Sequence, residues 1–139
     1  MKKLVLFILL FLPITLFAPS DTVWLTIEQV KPINPYKPLA EAVSVVESNQ
    51  NAFAVNEEEQ AYGMYQIRQC KLDDFNAAQG TDYTLLDLFD VELSSQIFYW
   101  HCGQYSPYDF ETIARAWNGS GEMTTVYWRK VERELNEQS

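Results

Sequence analysis

Lys37-Pro38-Leu39-Ala40-Glu41-Ala42-Val43-Ser44-Val45-Val46-Glu47-Ser48 is the stretch that decides how the rest of this chain reads. Pro38 suits a first helical position, and Leu39, Ala42, Val43 and Val46 recur at helical spacing, so the stretch predicts a helix with one apolar face. Glu47 closes that helix one turn beyond Val43 and directly after Val46. Its carboxyl is therefore expected at the rim of a core, not in open solvent. A carboxylic acid held that way has a raised pKa and can deliver a proton at neutral pH, which is what cleavage of an acetal with a poor leaving oxygen requires.

Working outward, Asn49 to Asn56 is rich in turn formers, Glu57 to Glu59 is an acidic run, and Tyr62 to Ile67 reads as extended around Gly63. These segments predict a small loop-and-strand lip beside the end of the first helix. Further helices are expected over Arg68–Ala78, with Cys70, Leu72, Phe75 and Ala78 inward and Gly80 as the stop, over Thr84–Phe89, and over Val91–Tyr105 ahead of Pro107. Asp109 is a candidate cap for a helix carrying Ile113, Ala114 and Trp117 that ends at Gly119-Ser120-Gly121, and Thr124 or Thr125 opens a last helix through Glu134. No internal repeat or low-complexity tract is visible. The fold class expected is mainly α, as a single domain over residues 37–139.

The order Glu47-Ser48, then Ala61-Tyr62-Gly63-Met64-Tyr65-Gln66-Ile67, then Ala116-Trp117-Asn118 resembles the soluble lytic transglycosylases and goose-type lysozymes, whose motifs read Glu-Ser, Gly-Leu-Met-Gln and Ala-Tyr-Asn. The resemblance runs from about Leu39 to about Val131. It implies a lysozyme-like fold with a cleft, peptidoglycan glycan strands as partner, no cofactor and no metal. Glu47 takes the place of the catalytic acid, and Ser48, Gly63, Tyr65, Gln66, Trp117 and Asn118 are the expected substrate-binding residues. Met64-Tyr65 replaces the usual Leu-Met, and Trp117 replaces a tyrosine whose hydroxyl approaches the glutamate in that family. Trp117 has only an indole N–H and a ring face to offer, and Tyr65 is a candidate for the missing hydroxyl. The bland alternative for Trp117 is a core aromatic. Tyr62, Tyr99, Trp100, Tyr127 and Trp128 are further candidates for sugar stacking, or else core and groove wall.

Lytic cleavage needs one acid that later acts as base, because the C6 hydroxyl of N-acetylmuramic acid closes a 1,6-anhydro ring. Hydrolysis with inversion needs a second carboxylate. Glu57 is the candidate for it, and the alternatives to a lytic enzyme are a goose-type-like muramidase and a catalytically silent glycan-binding protein.

The chain has ten basic and nineteen acidic residues, for a net charge of −9. That balance argues against nucleic acid as a partner. Met1-Lys2-Lys3 followed by an apolar run to Ala18 reads as an export signal over residues 1–18, either cleaved or kept as an anchor, with residues 19–36 an extended lead-in. The expected setting is the periplasm or cell envelope, with a monomer acting on the wall, for instance to make room for an envelope-spanning assembly. Cys70 and Cys102 are the only cysteines. In an exported chain they are candidates for a disulfide, against two buried free thiols or a metal site that uses His101 with Cys102.

Overall fold

The computed structural model describes residues 33–138, so the expected export segment and most of the lead-in lie outside the described residues. Five α-helices and a three-stranded antiparallel sheet of two-residue strands follow in the order α1 Lys37–Ser48, β1 Val55–Asn56, β2 Ala61–Tyr62, β3 Ile67–Arg68, α2 Gln69–Gln79, a 3-10 turn Leu85–Phe89, α3 Val91–Cys102, α4 Phe110–Asn118 and α5 Met123–Glu137. The described part is thus a mainly α domain with a small sheet, as the periodicity implies. Among the described residues no helix is long and apolar enough to cross a membrane.

α1 is the central helix, with Leu39, Ala40, Ala42, Val43 and Ser44 all buried. It is covered chiefly by α5, which buries Thr124, Tyr127 and Val131 on one stripe, and α5 in turn packs on α4. The helix stops because Asn49 adopts a left-handed conformation (φ 53°) and its N–H turns back to the carbonyl of Val45 at 2.9 Å, while the Gln50 N–H bonds the Ser44 carbonyl at 3.0 Å. Asparagine tolerates that conformation better than most residues, so the stop is local chemistry. It leaves Glu47 and Ser48 in the last turn, facing the sheet.

The sheet is fixed to the helices through Gly63. Its φ is +75°, and a Cβ built there would meet the Leu88 carbonyl oxygen at 2.3 Å. Ser94 at the start of α3 donates to the same carbonyl at 2.6 Å, so the β2–β3 turn, the 3-10 turn and α3 meet at one backbone oxygen. Any side chain at position 63 would be strained in conformation and would also push that junction apart.

Several boundaries differ from the periodicity reading. α3 ends at Cys102 rather than Tyr105, because residues 103–106 leave the helix in tight turns well before Pro107. α2 buries only Leu72 and Phe75, leaving Cys70 and Ala78 exposed. Two residues before Leu72 is about 200° around a helix, which turns Cys70 to solvent once Leu72 faces the core. Cys102 is fully buried, so the pair stands as two free thiols, one exposed and one inside, and not as the expected disulfide. Among the described residues no group of three or more His, Cys, Asp or Glu side chains could hold a metal ion.

Candidate active site

Among the described residues Glu47 is the carboxyl group that burial drives toward its protonated form. Burial at the end of α1 raises its pKa from 4.5 to about 7, the charge of Glu59 adds to the rise, and a hydrogen bond from Tyr127 with the cations of Arg68 and Lys130 opposes it. Desolvation wins, so near neutral pH Glu47 is divided between acid and carboxylate. The Tyr127 hydroxyl donates to Glu47 Oε1 at 2.7 Å, and burial next to that carboxylate drives the phenol's own pKa upward. Tyr127 therefore remains a hydrogen-bond donor throughout the range in which Glu47 titrates.

Ser48 holds the loop and not the carboxyl. Its Oγ donates to the Met64 carbonyl at 2.9 Å, tying the end of α1 to the β2–β3 turn. Gln66 closes that turn from within, in a left-handed conformation with φ 49°. Its side-chain nitrogen donates to the carbonyls of Gly63 at 2.9 Å and Ala54 at 3.3 Å, which occupies both amide hydrogens and leaves the amide oxygen for a ligand. Gly63 itself packs against Leu88, so its lack of a side chain serves the fold rather than the close approach of a sugar.

The two aromatic substitutions both resolve inward. Tyr65 is 4% exposed, stacks on Phe98 with centroids 4.8 Å apart, and has its hydroxyl beside Ser95 of α3, so it does not supply the hydroxyl for Glu47. Trp117 is 2% exposed, meets Phe98 edge-on at 4.9 Å, and spends its indole N–H on the Tyr65 carbonyl at 3.2 Å. Neither brings a polar group to Glu47. The physical reason is that α4 and the β2–β3 turn pack against α3, and the largest flat side chains at that seam fill it. Asn118 contributes through its backbone: its carbonyl accepts from Arg68, whose guanidinium is thereby fixed where its charge reaches Glu47.

No family model, curated protein or solved structure matches this chain.

Two residues at Glu47 were not assigned there from sequence. Tyr127 was legible only as one of several aromatics, yet Thr124, Tyr127 and Val131 form a one-face stripe on α5, and a phenol on a buried stripe needs an acceptor. That combination was the available signal. Arg68 carried none, since it depends on the β3 end meeting the carbonyl end of α4 across fifty residues. Glu57, Glu58 and Glu59 are all exposed, and of the three it is Glu59, not Glu57, whose charge is felt at Glu47.

Proposed function

We propose that this chain is a peptidoglycan lytic transglycosylase, a small lysozyme-like enzyme that cleaves the β-1,4 bond between N-acetylmuramic acid and N-acetylglucosamine. The observation that carries the reading is a single desolvated carboxyl, Glu47, tuned to about 7 and gripped by a hydroxyl that stays protonated. In the forward step protonated Glu47 gives its proton to the glycosidic oxygen as the bond to C1 of the muramic acid breaks, and the acetamido oxygen of that sugar stabilises C1. Glu47, now a carboxylate held by Tyr127 and attracted by Arg68, then takes the proton of the C6 hydroxyl as that oxygen closes on C1. The protein ends in its starting state and the product carries a 1,6-anhydro end.

Tyr127 bears on the rival reading of a silent binding protein. A glutamate with no tyrosine hydroxyl beside it would support that reading, since position 117 is a tryptophan, and here a hydroxyl reaches the glutamate from another helix. The hydrolytic alternative is favoured by one observation, the charge of Glu59 felt at Glu47, because a second carboxylate near the first is what activation of water requires. Its exposure argues the other way. The N-terminal segment belongs to the same proposal, as the element that delivers the domain to the envelope.

Digestion of purified cell wall followed by mass analysis of the soluble fragments tests the proposal. The expected products carry 1,6-anhydro-N-acetylmuramic acid ends, and replacing Glu57, Glu58 and Glu59 together by glutamine is expected to leave turnover within about tenfold, short of the ~100-fold loss that follows removal of an acid or base. Reducing N-acetylmuramic acid ends from the unmodified protein, lost in the triple variant, would establish hydrolysis instead. An absence of soluble fragments would leave only binding.

A further inference from the structure

The cavity framed by α2, α3 and α4 borders the region of Glu47, whose charge reaches Lys71 in the cavity wall, but it has walls of its own. It has a volume of about 460 Å³ and opens to solvent, and its lining includes Lys71, Asp74, Trp100, His101, Gln104, Tyr105 and Trp117 but not Glu47, Tyr127 or Arg68. That volume is in the range of sites that hold small organic ligands. We propose that it is a second glycan-binding site, one that takes a neutral sugar unit, a monosaccharide or disaccharide, beside the cleaving centre.

Charge decides the class of ligand. Lys71 is half-buried, donates to the Ala116 carbonyl at 3.3 Å, and lies 4.8 Å from the centre of the Trp117 ring, so its ammonium is already engaged. The carboxylate of Asp74 is near enough for its charge to be felt at Lys71. A free anion would meet Asp74 and a free cation would meet Lys71, so the lining favours neither. The His101 imidazole stays neutral, its pKa lowered to about 4 by burial and by Lys71, and it adds no charge.

The remaining surface has the two elements a pyranose uses. Trp100 and Tyr105 are half-buried aromatics that present apolar ring surface to sugar C–H groups, while Gln104 and Asp74 are exposed polar side chains that can meet equatorial hydroxyl or acetamido groups. Trp100 is braced edge-on by Phe75 at 5.6 Å, which fixes its ring before a ligand arrives. Fixing it in advance lowers the ordering cost of binding.

The site is testable without cleavage. In the full chain labelled for NMR, N-acetylglucosamine and N,N′-diacetylchitobiose should shift the Trp100 indole and His101 ring signals saturably. The double variant Asp74→Ala, Gln104→Ala alters two exposed side chains and is expected to raise the apparent Kd at least about fivefold, the loss of roughly one hydrogen bond's worth of affinity. The shifts should be absent with sodium acetate or ammonium chloride. Equal shifts with acetate would make this a simple ion site, and an unchanged Kd in the double variant would remove the assignment. Shifts confined to Tyr127 and Arg68 would overturn the second site while leaving the cleft reading in place, whereas shifts at Trp100 with no wall cleavage would retain the second site alone.

Discussion

Replacing Glu47 by glutamine is expected to reduce wall cleavage by ~100-fold or more, since it removes the transferable proton while keeping the side chain's size and its acceptor for Tyr127. The same variant should be more stable than the unmodified protein, and only at the alkaline end. Folding raises the carboxyl from 4.5 to about 7, so between those values the folded state binds more protons than the unfolded state and stability falls as pH rises. The full difference, up to about 3 kcal/mol, is reached above the folded value, where an ionised carboxyl is being kept from water. Glutamine has no such penalty. Thermal melts should therefore coincide near pH 4 and separate near pH 8 with the variant higher. A variant that retains more than a tenth of the rate, or a stability gain that is the same at both pH values, would contradict the role given to Glu47.

His101 gives those melts a second component of opposite sign. Burial lowers its pKa from 6.5 to about 4, so the unfolded state binds the extra proton and stability falls as pH drops through that window. In the unmodified chain the two slopes oppose one another between about pH 4.5 and 6.5. Removing the Glu47 titration should uncover the acid-side loss due to His101.

How far the sequence reached is clearest at particular residues. α1 and the position of Glu47 were legible because an apolar stripe, a proline near the start and a carboxylate at the end all belong to one local segment. Asp109 as the cap of α4 was legible for the same reason, and its carboxylate accepts from the Thr112 N–H at 3.0 Å. The partners of Glu47 were not. Tyr127 is eighty residues away and reaches it only because α5 lies along α1, a fact about helix packing that no local pattern encodes. Trp117 and Tyr65 misled for a related reason: a motif position suggested a cleft wall, while the seam between α3, α4 and the β2–β3 turn needed bulk and took both rings. The disulfide expectation failed on helix phase, since the burial of Leu72 decides which way Cys70 points.

Tyr127→Phe separates a functional role for that hydroxyl from a merely structural one. The hydrogen bond to Glu47 favours the ionised carboxyl, and bonds to charged groups contribute about 1.5 to 3 kcal/mol, so its loss should raise the Glu47 pKa by about one unit or more. Cleavage requires the protonated acid in the free enzyme, so kcat/KM falls as pH rises through that pKa, and in the variant the alkaline limb should move upward by the same amount. The maximal rate should nevertheless drop, by roughly tenfold, because the carboxylate formed after proton transfer is left buried with one donor fewer. Stability should follow the same logic, with the variant losing more at pH 8, where Glu47 is charged, than at pH 5. A phenylalanine variant that loses activity and stability equally at every pH, with its alkaline limb unmoved, would mean that Tyr127 only packs α5 against α1. The Glu47 pKa would then be set without the hydroxyl, and the contact would have no part in the reaction.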